Sequence, residues 1–203
     1  MTAAAVVLCN QALRLLGDAA IASFDDGTDL AATCSTLYPD TVRGLLQSYP
    51  WRWTLAKVRL ARLADRPVNE WTYQHALPPD RLVLRQLFPG DAEHLPPVAD
   101  YEIFGDNVLT DCPDVWADYQ RETDPETWPP AFRLLMRYAL AAELAVPVTS
   151  STSAADYWRG QAYGTPGEAR SGGQMRVCRQ LDSQQQPPQR IEDFPLIRAR
   201  FGG

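Results

Sequence analysis

The sequence predicts an α+β protein, with a helical bundle, an inserted small antiparallel β module and an extended C-terminal arm. Three observations predict this class. Amphipathic helical patterns occupy both ends of the chain, short alternating patterns punctuated by Pro and Gly occupy its middle, and a Gln/Pro-rich spacer precedes an apolar and basic segment. Helices from both ends must pack together, which makes the strands an insertion. The expected division is residues 1–50 and 123–182 for the bundle, 51–122 for the β module and 183–203 for the arm.

Two helices are predicted in the N-terminal part of the chain. Residues 3–16 place apolar side chains on one face at helical spacing, and Gly17 supplies a C-terminal stop. A second helical stripe continues to about Ser48 and ends before Pro50. Because Pro39 lies inside this stripe and lacks a backbone donor, we expect it to kink or divide the second helix.

The acidic stretch FDDGTD, residues 24–29, has two interpretations. Asp25 and Asp26 lie where the second helix needs an N-cap, a position that favours carboxylates. A metal loop is the alternative, but the later ligand spacing and bidentate glutamate of an EF-hand are missing from the sequence. We therefore predict that these carboxylates cap the helix.

The middle of the chain has the alternation and turn residues of short strands. WRWTLAKVRLARL, residues 51–63, suits one strand with a bulge. The segment YEIFGDNVLTD is the clearest hairpin, because two short runs flank Gly105, Asp106 and Asn107. The strand candidates after the first are residues 71–77, 81–88, 101–105, 107–111 and 115–122. Together they predict a compact β module.

Helical patterns return after the strand block. Thr127 is the predicted cap of a helix whose apolar stripe stops at Pro147. Serines and threonines in residues 150–153 are predicted to cap a further helix. The glycines between residues 164 and 173 oppose helix formation, although residues 168–181 could form a helix when packed.

The charge of the chain is unevenly distributed. The formal net charge is −6, but residues 170–203 hold six arginines against three acidic residues, so they carry +3 and residues 1–169 carry −9. An acidic body disfavours a protein that grips nucleic acid through its phosphates, because that grip needs clustered Lys and Arg. The sequence shows neither a membrane-spanning apolar stretch nor a secretion signal, so we expect a soluble protein made in the cytoplasm.

The sequence contains little that predicts catalysis. His75 falls in a strand candidate and His94 in a Pro-rich loop, and no nucleophile motif, zinc-protease motif or phosphate-binding loop accompanies them. We interpret His75 as a strand residue with a satisfied hydrogen bond. The four cysteines are far apart and form no C-x-x-C pair, which favours reduced thiols over a zinc site. They are Cys9, Cys34, Cys112 and Cys178. We predict no catalytic residues, no cofactor and no metal site.

The segment QQQPPQRIEDFPLIRARFGG combines a Gln/Pro-rich spacer with apolar and arginine residues. Exposed apolar side chains are unfavourable in water, so a tail that is merely solvated has little use for them. Such a segment suits an arm that becomes ordered when it docks on a partner. The predicted partner-binding residues are Phe194, Leu196, Ile197, Arg198, Arg200 and Phe201.

Several linked segments resemble one known family. They are LCNQALRLLGDAAIASFDDGTD, LYPDTVRGLLQSYPWRWTLAKVRLARL, YQHALPPDRLVLRQL, YEIFGDNVLTD and YQRETDPETWPPAFRLLMRYALAAELAVPVTSS. In order and spacing, over about residues 8–151, they resemble the tail tubular protein A family of short-tailed phages and related head-to-tail adaptors. The glycine-rich stretch at residues 164–173 departs from the family pattern.

The resemblance implies a structural virion protein at the head-tail interface. It implies a homo-dodecamer ring beneath the portal protein, a tail or nozzle protein below the ring, and DNA that crosses the central opening without sequence-specific binding. It carries over no catalytic residues. An acidic channel wall would repel phosphates, so the charge of the body agrees with this expectation.

Other functions remain open at the level of sequence. A nucleic-acid-binding accessory protein could use the arginine-rich C-terminal segment, and its DNA affinity would fall steeply with salt. An enzyme would need a buried pocket with converging polar groups. A plain α+β domain with a disordered tail is also compatible with the composition.

Overall fold

The computed structural model describes residues 2–67, 69–90 and 96–185. These residues form helices and small antiparallel sheets, which confirms the predicted α+β class. The helices are α1 (Ala3–Leu16), α2 (Asp29–Gln47), α3 (Pro130–Thr149), α4 (Thr152–Tyr163) and α5 (Gly173–Ser183). The strands are β1 (Leu55–Arg59), β2 (Ala61–Arg62), β3 (Tyr73–Ala76), β4 (Arg81–Pro89), β5 (Glu102–Phe104), β6 (Asn107–Thr110) and β7 (Val115–Arg121). No helix in these ranges combines the length and apolar character needed to cross a membrane.

Helix α1 has the bounds that its apolar periodicity predicts. Gly17 follows it in the left-handed conformation, with φ of 81°, and donates its backbone N–H to the Arg14 carbonyl at 3.2 Å. The Asn10 side chain donates to the Ile21 carbonyl at 2.9 Å and accepts from the Ile21 N–H at 2.8 Å. These two bonds satisfy the backbone of a buried residue and hold the connector against α1.

The N-cap of α2 is Thr28, so the prediction that Asp25 or Asp26 caps this helix is wrong. The Thr28 hydroxyl accepts from the Ala31 N–H at 3.2 Å. Asp26 accepts from the hydroxyl and the N–H of Thr28, at 2.6 and 3.0 Å, and these bonds hold the pKa of its carboxyl below the usual range. The aspartate therefore positions the residue that caps the helix, because a threonine at this place can bond in both directions.

Two prolines lie inside helices. α2 continues through Pro39, so the predicted division is absent, whereas the alternative of a kink there stays a prediction. α3 continues through Pro147, so the predicted end at this proline is wrong. Each proline removes one intrahelical hydrogen bond. The carbonyls that lose a donor belong to Ser35 and Glu143, which lie on half-buried or exposed positions where water can bond them. Packing of the apolar faces on both sides of each proline then keeps the helix continuous.

Thr127 does not cap α3, contrary to the prediction. Asp124 caps a short 3-10 helix over Pro125–Thr127, and α3 begins at Pro130 without a side-chain cap. The prolines at 129 and 130 have no backbone N–H, so the first turn contains fewer donors that need a cap.

Residues 51–63 do not form the single bulged strand that their alternation predicts. Arg52–Thr54 is a 3-10 helix, and β1 and β2 pair in different sheets. Trp51 is 1% exposed, packs edge-on against Phe132 with ring centroids 5.1 Å apart, and donates its indole N–H to the Leu45 carbonyl at 2.9 Å. Burial of this large ring among the helices outweighs a weak local alternation.

The strands form two small antiparallel sheets. The order is β1-β7-β4 in the first sheet and β2-β3-β6-β5 in the second. β4 has two register irregularities against β7, between Arg81 and Val83 and between Leu84 and Gln86. The predicted hairpin is present as β5 and β6, with Gly105 in its turn at φ of 59°.

Two hydrophobic clusters hold these elements together. The larger cluster contains buried residues of all five described helices, and the smaller one contains residues of both sheets. The clusters are joined by Gln120 of β7, which is 0% exposed. The two N–H groups of its side-chain amide are shared among three acceptors, the carbonyls of Leu46 and Tyr49 at 3.1 and 2.9 Å and the Thr54 hydroxyl at 2.9 Å. β7 is thereby fixed to the C-terminal end of α2.

The glycine-rich stretch between α4 and α5 is a tightly packed turn. α4 has a serine cap at Ser151, as predicted. The helix expected over residues 168–181 is present from Gly173 onward. At Gly173, where φ is 50°, an added Cβ would lie 2.6 Å from the Gln161 carbonyl oxygen. The glycines therefore permit the close backbone approach that allows α5 to pack on α4.

Candidate functional site

The six predicted partner-binding residues lie outside the described residues, since the described part of the chain reaches Gln185. They are Phe194, Leu196, Ile197, Arg198, Arg200 and Phe201. Gln185 follows Gln184, the C-cap of α5, and residues 186–203 continue the chain from it. The surface around Gln185 is therefore the part of the body closest in the chain to these residues.

An apolar groove, here called the aromatic groove, lies beside Gln185. It has a volume of about 360 Å³ and is formed by the start of α3, the end of α5 and the tryptophans before β1. Its lining residues are Trp51, Trp53, Pro129, Pro130, Ala131, Phe132, Cys178, Leu181, Asp182 and Gln185. Leu181 is 47% exposed at its edge. Apolar surface at the mouth of a groove is typical of a place that another segment covers.

Three aromatic side chains, Trp51, Trp53 and Phe132, line the aromatic groove. The Phe132 ring centroid lies 4.9 Å from that of Trp53, 5.1 Å from that of Trp51 and 5.2 Å from that of Trp128, which packs outside the lining. Trp51, Trp128 and Phe132 are buried, so the half-buried Trp53 supplies most of the aromatic surface that the groove exposes. The packed rings behind Trp53 hold it in place.

Asp182 fixes the end of α5 to the 3-10 helix that contains Trp53. Its carboxylate is 4% exposed and accepts from the backbone N–H of Arg52, with oxygen distances of 3.1 and 3.3 Å. Burial raises the pKa of this carboxyl above its ordinary value, and the Arg52 N–H counteracts part of the rise. The bond sets the position of one wall of the aromatic groove relative to the other.

Replacing Asp182 with asparagine is expected to reduce stability more at about pH 4 than at about pH 7. The raised pKa means that the folded protein favours the protonated carboxyl, so its stabilising contribution is present at low pH and is lost as pH rises through the folded-state pKa. Asparagine does not titrate. Urea unfolding of both proteins, followed by tryptophan fluorescence, measures the difference. A difference that shrinks on acidification would contradict this account.

A second groove, here called the basic groove, runs between α1 and the N-terminal half of α3. It has a volume of about 500 Å³, with small and apolar residues on the α1 side and two arginines on the α3 side. Its lining residues are Ala3, Ala4, Val7, Leu8, Gln11, Pro125, Glu126, Pro130, Arg133 and Arg137. Val7 is 52% exposed. The buried Nε of Arg137 has no hydrogen-bond partner within the described residues.

The two grooves meet at Pro130, which lines both of them. The two grooves together are here called the track, and its lining includes Gln185, Pro130 and Arg137. The aromatic groove is largely apolar, whereas the basic groove has mixed apolar and basic walls.

The tip of the β5–β6 hairpin is a further apolar surface. Ile103 and Phe104 are 50% and 68% exposed, and β5 is the edge strand of its sheet. The Asp106 carboxylate in the turn accepts from the Arg81 guanidinium at 3.1 Å, which fixes the tip against β4. A large, exposed and rigidly held apolar pair on an edge strand is typical of a surface that contacts another chain.

His75 is 0% exposed in β3, and its Nε2 lies 3.1 Å from the Cys112 carbonyl oxygen. The predicted hydrogen bond is therefore present at one ring nitrogen, while Nδ1 has no partner within the described ranges. Burial lowers the pKa of His75, which favours the neutral imidazole. His94, the histidine in the Pro-rich loop of the sequence, lies outside the described residues.

The described part of the chain contains no group of three or more His, Cys, Asp or Glu side chains placed to hold a metal ion. The four cysteines carry free thiols, and Cys9, Cys34 and Cys178 are buried. Burial raises the pKa of the Cys178 thiol to about 11, so this residue at the aromatic groove stays protonated at neutral pH.

No protein-family model and no curated protein matches the chain. Its function must therefore be argued from the residues and surfaces described above. No local sequence pattern indicates the grooves, because their walls come from segments far apart in the chain. The only local signal was the aromatic and proline content near residues 51–53 and 128–130, which equally predicts core packing.

Proposed function

We propose that the protein is a head-to-tail adaptor, a structural virion protein that forms a homo-dodecamer ring beneath the portal and joins the capsid to a tail or nozzle protein. One observation carries the proposal: Gln185 lines an apolar groove, and a segment rich in apolar and arginine residues continues the chain from it. A body with a docking track and an attached apolar arm suits a protein built to join other chains. The resemblance of residues 8–151 to adaptor proteins supplies the specific assembly.

The proposed architecture is a helical bundle of residues 1–50 and 123–182, an inserted β module of residues 51–122 and an arm of residues 183–203. The separate hydrophobic clusters of helices and sheets support this division. In the proposed ring, the exposed hairpin tip at Ile103 and Phe104 is a second surface for contact with another chain.

The proposed role of the body is mechanical. Residues 1–169 carry a net charge of −9, so a channel lined by this body repels phosphates and lets DNA pass without holding it. The proposal includes no reaction and no cofactor. The arginines of the arm, among them Arg198 and Arg200, serve in contacts with protein partners.

Mixing the full chain with purified portal rings tests this function. We expect a ring of bound copies in native mass spectrometry and electron micrographs. Deleting residues 187–203 should leave the circular dichroism spectrum and cooperative unfolding in place but reduce assembly on the portal. A chain that stays monomeric with the portal would contradict the adaptor proposal, and a deletion that abolishes folding would contradict the assignment of these residues to an arm.

DNA binding distinguishes the adaptor from a nucleic-acid-binding protein. The adaptor is expected to show almost no affinity for duplex DNA at physiological salt. Binding that is tight at low salt and falls steeply as salt rises would favour the arginine-rich segment as a phosphate-binding element instead.

A further inference from the structure

The track formed by the two grooves complements the sequence that follows Gln185. The aromatic groove offers Trp53 and Phe132 beside Gln185, and the next residues of the chain include Pro187 and Pro188. Proline-rich segments dock on aromatic-lined grooves, because their extended conformation is already restricted before binding. The proline-rich start of the segment therefore suits the aromatic groove.

The charges of the segment complement those of the basic groove. The groove is lined by Glu126, Arg133 and Arg137. Beyond its prolines, the segment carries Arg190, Glu192 and Asp193. Each of these side chains can therefore pair with a group of opposite sign in the groove, which favours this segment as the occupant.

Arg133 and Arg137 give the basic groove two guanidinium groups. Arg133 is exposed and Arg137 is half-buried. A carboxylate docked in the groove can accept hydrogen bonds from these groups. Phe194, directly after Asp193, then lies at the small-residue wall where Val7 is 52% exposed.

The lengths are compatible. An extended chain from Gln185 to Asp193 spans up to about 28 Å. The part of α3 that the track follows, from Pro130 to Arg137, rises about 10 Å. The segment can therefore cross the start of α3 and reach both arginines without being taut.

We infer that residues 186–197 dock on the track of their own copy, with the prolines in the aromatic groove and with Glu192 and Asp193 bonded to Arg133 and Arg137. Docking within one copy is favoured over docking on a second copy because Gln185 itself lines the groove. A tether this short gives an effective concentration in the millimolar range, far above that of a second copy in dilute solution.

Docking has a consequence for assembly, and this step alone rests on the proposed function. A self-docked segment keeps Phe194, Leu196 and Ile197 from associating with other chains while the protein is free. In the ring, a portal or neighbouring surface must displace the segment to receive it.

Hydrogen exchange of the full chain tests the docking. We expect amides of residues 189–197, the prolines excepted, to exchange at least about tenfold more slowly than in a free peptide of the same sequence. Reversing the charges on the track with Arg133→Glu and Arg137→Glu should remove this protection. Reversing them on the segment with Glu192→Arg and Asp193→Arg should do the same. Combining all four substitutions should restore it.

Two controls keep these results interpretable. Arg43→Glu with Arg159→Glu changes the same charge at exposed positions away from the track, and should leave the protection unchanged. The substitutions at Glu192 and Asp193 alter only the segment, so their effect does not depend on whether the Arg133 and Arg137 variant folds. Slow exchange of amides in α2 and α3 verifies that each body is intact.

Three outcomes would overturn the inference. They are an unprotected segment in the unaltered chain, protection that survives both charge reversals, and protection that decreases on dilution from about 100 to about 1 µM, which would assign the track to a second copy. These outcomes are separable from the adaptor function. Ring assembly with an unprotected segment would refute only the docking, and a protected segment without ring assembly would refute only the adaptor.

Discussion

Replacing Gln120 with leucine is expected to lower the free energy of unfolding by about 3–5 kcal/mol. The leucine cannot donate to the Leu46 carbonyl, which loses this bond in the last turn of α2. It also cannot accept from the Arg85 guanidinium, whose Nε lies 2.7 Å from the Gln120 side-chain oxygen. The Leu46 carbonyl stays buried, whereas Arg85 is half-buried, so the cost exceeds that of an average hydrogen bond chiefly because a buried carbonyl is left unpaired.

Urea unfolding followed by tryptophan fluorescence measures this cost, because Trp51 reports on the larger cluster near the affected contact. Gln161→Leu is a matched control, since Gln161 is exposed on α4 and its substitution is expected to change stability by no more than about 0.5 kcal/mol. A Gln120→Leu protein within about 1 kcal/mol of the unaltered chain would show that the sheets and helices do not depend on this residue for their connection.

Gln120→Glu distinguishes the two roles of the Gln120 side chain, as acceptor from Arg85 and as donor to the carbonyls of Leu46 and Tyr49. Glutamate keeps an acceptor for Arg85 but loses the amide donor that faces the carbonyls of Leu46 and Tyr49. A carboxylate among carbonyl oxygens is repelled, whereas a protonated carboxyl can donate one hydrogen bond. We therefore expect the Gln120→Glu protein to regain part of its stability as the pH is lowered, which the Gln120→Leu protein cannot do.

Local sequence patterns predicted a helix or hairpin correctly where residues within that element set its ends. Helix α1 and the β5–β6 hairpin have a regular apolar period and a glycine at the required turn, and both are present at the predicted place. Local patterns did not predict the secondary structure where tertiary packing determines it. Trp51 and Trp53 alternate with polar residues as in a strand, but their packing against Phe132 places Trp53 in a 3-10 helix and Trp51 at the N-cap of that helix.

Local sequence patterns predict the candidate site less completely than they predict the fold. The arm stays a prediction from composition, because apolar residues beyond a Gln/Pro-rich spacer are unusual in a solvated tail. The track could not be predicted, since Trp53, Pro130 and Leu181 are brought together only by the packing of α5 on α3. The bond between Asp182 and the Arg52 N–H, which joins two walls of the groove, has no local signature in the sequence.

Replacing Gly173 with alanine is expected to lower the free energy of unfolding by about 3 kcal/mol or more. A left-handed φ of 50° disfavours any residue with a Cβ. The added carbon would also lie 2.6 Å from the Gln161 carbonyl oxygen and 2.8 Å from the Gly164 nitrogen, which are backbone atoms that cannot rotate away. The start of α5 must therefore shift, or the turn must open.

Gly167→Ala is the matched control for this substitution. Gly167 lies six residues earlier in the same glycine-rich stretch, and an added Cβ there would meet nothing within 4 Å. We expect its unfolding free energy to change by no more than about 0.5 kcal/mol. Equal effects of the two alanines in thermal and urea unfolding would show that the stretch is not held by close backbone contacts.

The Gly173→Ala protein also connects the turn to the track. α5 contributes Leu181, Asp182 and Gln185 to the aromatic groove, so a shift at the start of this helix moves one wall of the groove. We therefore expect residues 189–197 to lose hydrogen-exchange protection in this variant even under conditions where α2 and α3 remain protected. Retained protection with a displaced α5 would mean that the segment binds without the aromatic groove, and that the basic groove alone holds it.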